Sequence, residues 1–263
     1  MTEPVLIRET DGRIAVLTLN RPLALNALSD QLLAALSQEL ADLAQDATVR
    51  VVVLRGAGRS FCAGHDLKEM QAARSAGDTG RGYFAGLFAR CSAVMLGLRA
   101  LPQPVIAEVH GVAAAAGCQL VASCDLAVAA DTARFGVNGV NIGLFCSTPM
   151  VPLSRAIPAK AALELLLTGE LIGAARARDL GLINCIAAPD QLQADTMALA
   201  QTIAAKLGAA VRIGKRAFYD QIALDEAAAY DLAARVMVEN MAWRDTGEGI
   251  DAFLARRKPD WPA

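Results

Sequence analysis

The stretch PVIAEVHGVAAAAGCQLVASCDLAVAA, Pro104 to Ala130, decides the fold. Val105 to Val109 is short, apolar and β-branched at several positions, as a strand covered on both faces should be. Gly111 and the small residues Ala113 to Ala116 then lead past Gly117 into an apolar helical segment, and Asp125 to Ala130 is apolar and strand-like again. A strand, a small-residue turn, a helix and a second strand in that order point to an α/β core. Glu108, His110, Gln119 and Asp125 interrupt the apolar run, so it falls short of the roughly 20 uninterrupted apolar residues of a bilayer span.

Outward toward the N-terminus, Arg50 to Arg55 (RVVVLR) is a second buried strand, bounded by Gly56. Leu32, Leu33, Leu36, Leu40 and Leu43 recur at helical spacing after Ser29, a suitable N-cap. Val5 to Glu9 and Arg13 to Leu19 flank Asp11-Gly12, a dipeptide suited to the positive φ of a hairpin turn. Gln71 to Gly82 mixes Ser, Gly, Asp, Thr and Arg without apolar periodicity and reads as a mobile surface loop, with helix resuming from Tyr83 to Arg99. Outward toward the C-terminus, Leu182 to Ala187 is a strand candidate, and Gln191 to about Ala255 is helical. The expected division is therefore an α/β core over 1–190 and a helical packing or assembly region over 191–263.

With 263 residues, 54% hydrophobic and 20% charged, the chain can bury a large core unaided. A net charge of −2 and the lack of a basic block argue against nucleic acid as a partner. Met1 to Arg8 holds neither a signal-peptide pattern nor an Arg/Ser-rich amphipathic stretch, so a cytoplasmic protein is expected. The six cysteines, Cys62, Cys91, Cys118, Cys124, Cys146 and Cys185, lie among apolar neighbours without a CxxC pair. They read as buried, reduced thiols, and no metal-ligand set emerges.

Gly56-Ala57-Gly58-Arg59-Ser60-Phe61 follows a strand as a dinucleotide-binding turn would, but Phe61 stands where the third glycine is needed. Neither a GxxxxGK[ST] phosphate loop nor a GxSxG nucleophile turn occurs. What remains is more specific. LNRPLALNALS (Leu19–Ser29), FCAGHDLKEM (Phe61–Met70), the Pro104–Ala130 stretch and LTGELIGAARARDLGLIN (Leu167–Asn184) together, in order and spacing, resemble the enoyl-CoA hydratase/isomerase, or crotonase, superfamily. AAGCQLVASCD and GVNIGLFCSTP resemble the branch called enoyl-CoA hydratase domain-containing protein 3.

The resemblance implies a spiral of ββα units with C-terminal helices that assemble trimers, often paired into hexamers. It implies an acyl-CoA thioester as ligand or substrate and no tightly bound cofactor. The physical logic is that a thioester enolate needs two backbone N–H groups aimed at its oxygen. They map to His65, in Ala63-Gly64-His65-Asp66, and to Ala116, at a helix start whose dipole favours negative charge. Relatives carry consecutive glycines where this chain has Ala115 and Ala116, which narrows the room for the acyl group. The two hydratase glutamates map to Gln119 and Gly139, so neither residue can take the proton of an attacking water.

An AGHD sequence also occurs in the methylmalonyl-CoA decarboxylases of the superfamily, which makes His65 a second candidate catalytic side chain. Ser147 falls where some relatives place a catalytic aspartate; its alternative reading, with Thr148, is as a cap for a short helix at Pro149. Asp66 reads as the cap of the helix beginning LKEM. Ala63, His65, Asp66, Leu67, Lys68 and Lys258 form the expected CoA-binding set, and Leu23 stands where some relatives have a lysine. Glu108 and His110, on one strand face, are expected to pair. Two functions stay open: an enzyme using the donors without a glutamate pair, by decarboxylation, thioester cleavage or isomerisation, or a non-catalytic acyl-CoA binder.

Overall fold

The computed structural model describes residues 3–75 and 78–261. β1 (Leu6–Asp11) and β2 (Ile14–Leu19) form the antiparallel hairpin, closing with Asp11 opposite Ile14. β2 pairs in parallel with β3 (Val51–Gly56), and β3 with β4 (Val105–Val109). After a short strand β5 (Val112–Ala114), β6 (Leu126–Ala130) joins β4, so both ends of the decisive stretch lie side by side in one sheet. β7 (Arg134–Gly136) pairs with β5, and β8 (Ile172–Gly173) with β7, in a second sheet of three strands. β9 (Cys185–Ala187) completes the six-stranded main sheet at its edge.

The helices are α1 (Asp30–Gln45), α2 (Leu67–Arg74), α3 (Arg81–Ala100), α4 (Ala116–Ser123), α5 (Met150–Ala156), α6 (Ala159–Thr168), α7 (Ala174–Leu180), α8 (Leu192–Ala204), α9 (Gly208–Gln221), α10 (Glu226–Met241) and α11 (Arg244–Leu254). Ser29 caps α1 by accepting from the Leu32 N–H at 3.2 Å. The five expected leucines are its buried face and share one apolar cluster with Leu87, Val94 and Leu98 of α3. Truncating a side chain such as Leu33, which is fully buried, to alanine costs about 2–5 kcal/mol.

Alternation divides the main sheet between two cores. Leu17, Leu54, Ala107 and Ala129 face the helices α1, α3 and α4, while Val16, Val53, Ile106 and Val128 face Leu192 and Ala200 of α8. α9 is tied to the same sheet by a buried polar knot. Lys215 donates to the Leu98 and Gln103 carbonyls and to Asp125 at 2.7 Å, and the Tyr219 hydroxyl donates to Asp125 at 2.8 Å.

Several expectations are corrected. The proposed loop Gln71–Gly82 is helical at both ends, where α2 runs on to Arg74 and α3 begins at Arg81, and Ser75 and residues 78–80 form turns between them. Its centre, Ala76 and Gly77, lies outside the described residues. Glu108 and His110 do not pair. The His110 Nε2 sits 2.9 Å from the Gly58 carbonyl, while Glu108 Oε2 is buried without a partner. Burial raises the Glu108 pKa, opposed by Arg55 and Thr196. Cys185 is exposed on the edge strand, whereas the other five thiols are buried. Burial pushes Cys62, Cys91 and Cys118 up to about 12.

Candidate functional site

The site is a product of stacked turns of chain. Each turn places a strand in the main sheet, then a short extended segment beside the second sheet, then a helix. Leu28, Cys62–His65 and β5 are three such segments in successive turns, bridged at Leu28 with His65 and at Cys62 with Ala113. The Leu28 N–H donates to the Gly64 carbonyl, and the Asp66 N–H returns to the Leu28 carbonyl. In a parallel ladder successive residues bond to opposite sides, so the intervening His65 N–H turns away from Leu28 toward the next segment. There the Ala114 N–H bonds Cys62 O and the Ala115 N–H bonds Gly136 O, leaving the Ala116 N–H at the first turn of α4.

Among the described residues no protein acceptor takes either the His65 or the Ala116 N–H. Two glycines make the approach possible. Gly64 has φ +104°, and a Cβ there would lie 3.0 Å from the Ala115 methyl carbon and 3.5 Å from Ala116 N. A Cβ on Gly117 would lie 2.0 Å from the Cys62 carbonyl oxygen, so only glycine lets α4 start against the preceding turn.

Both donors open into a cleft of about 720 Å³. One wall comes from the segments around Arg21 to Ala27 and Arg59 to Met70, and the other from Asn138 to Pro149, with Phe88 of α3 also in the lining, packed against His65. The first wall carries the charge. Arg21 pairs with Asp66 at 2.8 Å, and Asp66 also caps α2 by accepting from the Lys68 N–H at 3.0 Å, as expected of it. Burial alone would raise the Asp66 carboxyl, but Arg21 and the Lys68 N–H outweigh it and hold the pKa below the ordinary value. Arg59 and Lys68 are exposed and, among the described residues, have no acidic partner. The second wall holds Asn138, Gly139, Asn141, Ile142, Leu144, Phe145, Cys146, Ser147 and Thr148, with no acidic or basic side chain among them.

The expected residues divide accordingly. Ala63, His65, Asp66, Leu67, Lys68, Ala116, Gly139 and Ser147 all line the cleft, and Leu23 stands fully exposed at its rim. Gln119 does not. Its side chain is buried, and its Oε1 faces the Cys91 thiol at 3.9 Å. Lys258 is exposed beyond α11 and takes no part in the cleft. Ser147 does not cap α5, which begins behind Pro149 with no side-chain cap; its hydroxyl turns to the Phe145 carbonyl at 3.4 Å. The His65 imidazole packs edge-on to Phe88, with both ring nitrogens buried and unpartnered. Burial lowers its pKa from the ordinary value, opposed by the Leu28 backbone and Asp30.

Arg21, Arg59 and Cys146 are among the cleft residues to which the sequence reading gave no role at the site. Arg21 finds Asp66 across 45 residues of chain, a distance no local pattern reports. The Gly139 N–H donates to the Cys146 sulfur at 3.3 Å, so a thiol fills the space beside the position that lacks a glutamate.

Successive turns of strand, extended segment and helix, with paired N–H donors between two of them, define a crotonase-fold protein. The chain belongs to the enoyl-CoA hydratase/isomerase family, whose model matches residues 9–263. It is 46% identical to the human mitochondrial enoyl-CoA hydratase domain-containing protein 3, over 98% of this chain and 83% of the relative. The crystal structure of that human protein superposes with a TM-score of 0.93 at 44% identity, covering 98% of this chain and 100% of the other. The crystal structure of an enoyl-CoA hydratase from Mycobacterium smegmatis superposes with a TM-score of 0.95 at 53% identity, covering 98% and 99%.

These relatives confirm the branch expected from AAGCQLVASCD. They also overturn the expected cytoplasmic location, since the human and mouse relatives are mitochondrial proteins. The composition of eight residues carried too little information to assign a compartment. Among the described residues no helix is long and apolar enough to cross a membrane.

Proposed function

We propose that the cleft binds an acyl-CoA thioester, with its carbonyl oxygen at the His65 and Ala116 N–H groups. The observation that carries this reading is the pair of backbone donors left without a protein acceptor at the cleft. Preorganised donors at a helix start stabilise an oxygen that gains negative charge, which is what a thioester carbonyl does on becoming an enolate or a tetrahedral adduct. The two walls suit the two ends of such a ligand. Arg59 and Lys68 offer free cations to phosphates, and the Asn138–Pro149 wall offers an uncharged surface to an acyl group. In this reading acyl-CoA is a ligand or substrate rather than a resident prosthetic group.

Two-carboxylate hydration does not fit the site. Among the described residues Asp66 is the one carboxylate lining the cleft, and it is already held by Arg21. The chemistry this leaves is a reaction that draws on the oxyanion donors without a glutamate pair: decarboxylation, thioester cleavage or isomerisation. The sealed nitrogens of His65 favour a second reading, a binder that performs no proton transfer. Incubation with a panel of acyl-CoA thioesters, followed by calorimetry and mass spectrometry, tests both. Binding with turnover supports the enzyme, binding without change supports the binder, and no binding at millimolar concentration removes the proposal.

The same reading includes self-association, as a trimer or hexamer, through the C-terminal helices. Phe218, Ile222, Tyr230, Met237, Val238 and Phe253 are exposed apolar side chains on α9 to α11, and such a patch on a monomer would be costly in water. Sedimentation of the chain truncated after about Gln191 checks it: an unchanged oligomer would contradict the assignment.

A further inference from the structure

Ala115 occupies the least comfortable backbone conformation at the cleft. Its φ is +49° and its ψ −115°, a region that residues with a Cβ rarely adopt and glycine enters freely. The surroundings hold it there from both sides. Its N–H donates to the Gly136 carbonyl of β7 at 2.8 Å, and its own carbonyl accepts the Gln119 N–H at 3.0 Å as the first bond of α4. A glycine at this place would remove the strain, so the methyl group is retained against a local cost.

The position of the methyl gives that cost a meaning. Ala115 is half-buried and lines the cleft, directly before the Ala116 donor. A Cβ built on Gly64 would come within 3.0 Å of it, so the methyl occupies room left free by the missing side chain beside the other donor, His65. The methyl thus stands against Gly64, which precedes one donor, and on the residue before the other, so it flanks the pair where the chain enters α4. When a carbonyl oxygen is held by those donors, the carbon next to the carbonyl lies within van der Waals reach of whatever flanks them.

We infer that Ala115 is a specificity-determining residue, whose methyl group excludes acyl-CoA thioesters branched at the carbon next to the carbonyl. The inference rests on the acyl-CoA reading of the cleft and sharpens it to a substrate class, acyl groups unbranched at that carbon. Close-packed sites resist an added methyl group, and the binding difference for one such group runs to roughly 10-fold or more.

The test compares butyryl-CoA with isobutyryl-CoA, which have the same number of carbons and differ in the branch, on the full-length wild type, Ala115→Gly and Ala115→Ser. The wild type should prefer butyryl-CoA by about tenfold or more in Kd, Ala115→Gly should bring the ratio near unity, and Ala115→Ser, which keeps a side chain of similar size, should retain the preference. Relief of strain should also raise the thermal midpoint of Ala115→Gly by roughly 2–4 °C, which shows that the variant is folded. Equal binding of the two thioesters by the wild type, or an unchanged preference in a folded Ala115→Gly, overturns the inference and leaves acyl-CoA binding standing. Failure of both thioesters to bind the wild type removes the underlying reading and the inference with it.

Discussion

The two walls of the cleft are built for different work. The wall from Arg21 to Met70 is polar and cross-tied, with Arg21, Asp66 and the Lys68 N–H joined in one chain of contacts. The wall from Asn138 to Pro149 offers backbone, a thiol, hydroxyls and apolar side chains, with Ile142, Leu144 and Phe145 substantially exposed. Between them lie the His65 and Ala116 backbone N–H groups, flanked by the Ala115 methyl and Phe88. Holding an oxygen at backbone N–H groups depends on chain geometry, which tolerates many side-chain changes, whereas two-carboxylate hydration depends on particular side chains, and among the described residues Asp66 is the one carboxylate at the cleft.

The largest effect that would break this contrast concerns hydration. General acid–base groups typically contribute 10²- to 10⁴-fold each, so crotonyl-CoA hydration should be slower than in a two-glutamate relative by roughly 10⁴-fold or more. Loss of enoyl absorbance measures it. Turnover like that of an ordinary hydratase would show that a group in the cleft accepts the proton after all.

Restoring an acid to the uncharged wall is the next test. A Cβ at Gly139 would lie 2.5 Å from the Leu144 carbonyl oxygen and 2.8 Å from the Cys146 sulfur. Gly139→Glu should therefore destabilise the protein by about 1–3 kcal/mol, as overpacking does, and should not raise hydration. Gln119→Glu should fare no better, because its side chain is buried against Cys91 rather than facing the cleft. Thermal melts and the enoyl assay check both variants; a stable, active Gly139→Glu, Gln119→Glu double variant would show that the wall is plastic.

A third test uses acid on the charged side. Burial holds the His65 pKa below its ordinary value of 6.5, so the folded state keeps the ring neutral where the unfolded chain takes up a proton. Stability should thus fall as pH drops below about 6.5 and level off once the folded pKa is passed. Asp66, held below its ordinary 3.8, adds a separate loss in more acid solution as its ion pair with Arg21 is protonated. Denaturant midpoints from pH 8 to pH 5 on the wild type and His65→Gln isolate the first window. An identical slope in both would show that another group carries it.

The smallest effect concerns the free cations. Arg59→Gln and Lys68→Gln should each weaken butyryl-CoA binding by about two- to fivefold at low salt and less at high salt, as exposed charges do. A butyryl thioester of pantetheine, which lacks the phosphates, should bind all three proteins alike. Equal losses for both ligands would move the phosphates away from this wall.

Much of this arrangement was legible in the sequence because it is local. The N-cap Ser29, the leucine face of α1, the hairpin at Asp11-Gly12 and the buried strands β3 and β4 each follow from residues within one element. The expected donor positions, His65 and Ala116, came from the resemblance carried by AGHD and AAAAGCQ, and both line the cleft. What was hidden depends on contacts between distant elements. The segment Gln71–Arg74 looked like a loop because α2 buries no residue and so shows no apolar period. Glu108 and His110 share a strand face on paper, but His110 lies past the end of β4 and meets Gly58 instead. Gln119 sits one turn into α4, where the helix directs it toward α3 and away from the cleft.

The thiols give the molecule a built-in clock. Cys185 is exposed at the sheet edge, Cys146 lines the cleft, and Cys62, Cys91, Cys118 and Cys124 are sealed in the interior. An alkylating reagent will therefore meet them in three waves. The first needs no opening of the fold, and the last waits on global opening and so records the rate at which the interior unseals. Between them falls Cys146, whose labelling time lengthens whenever something occupies the space beside it, so a single reagent and a mass spectrum can follow occupancy and unfolding in the same tube.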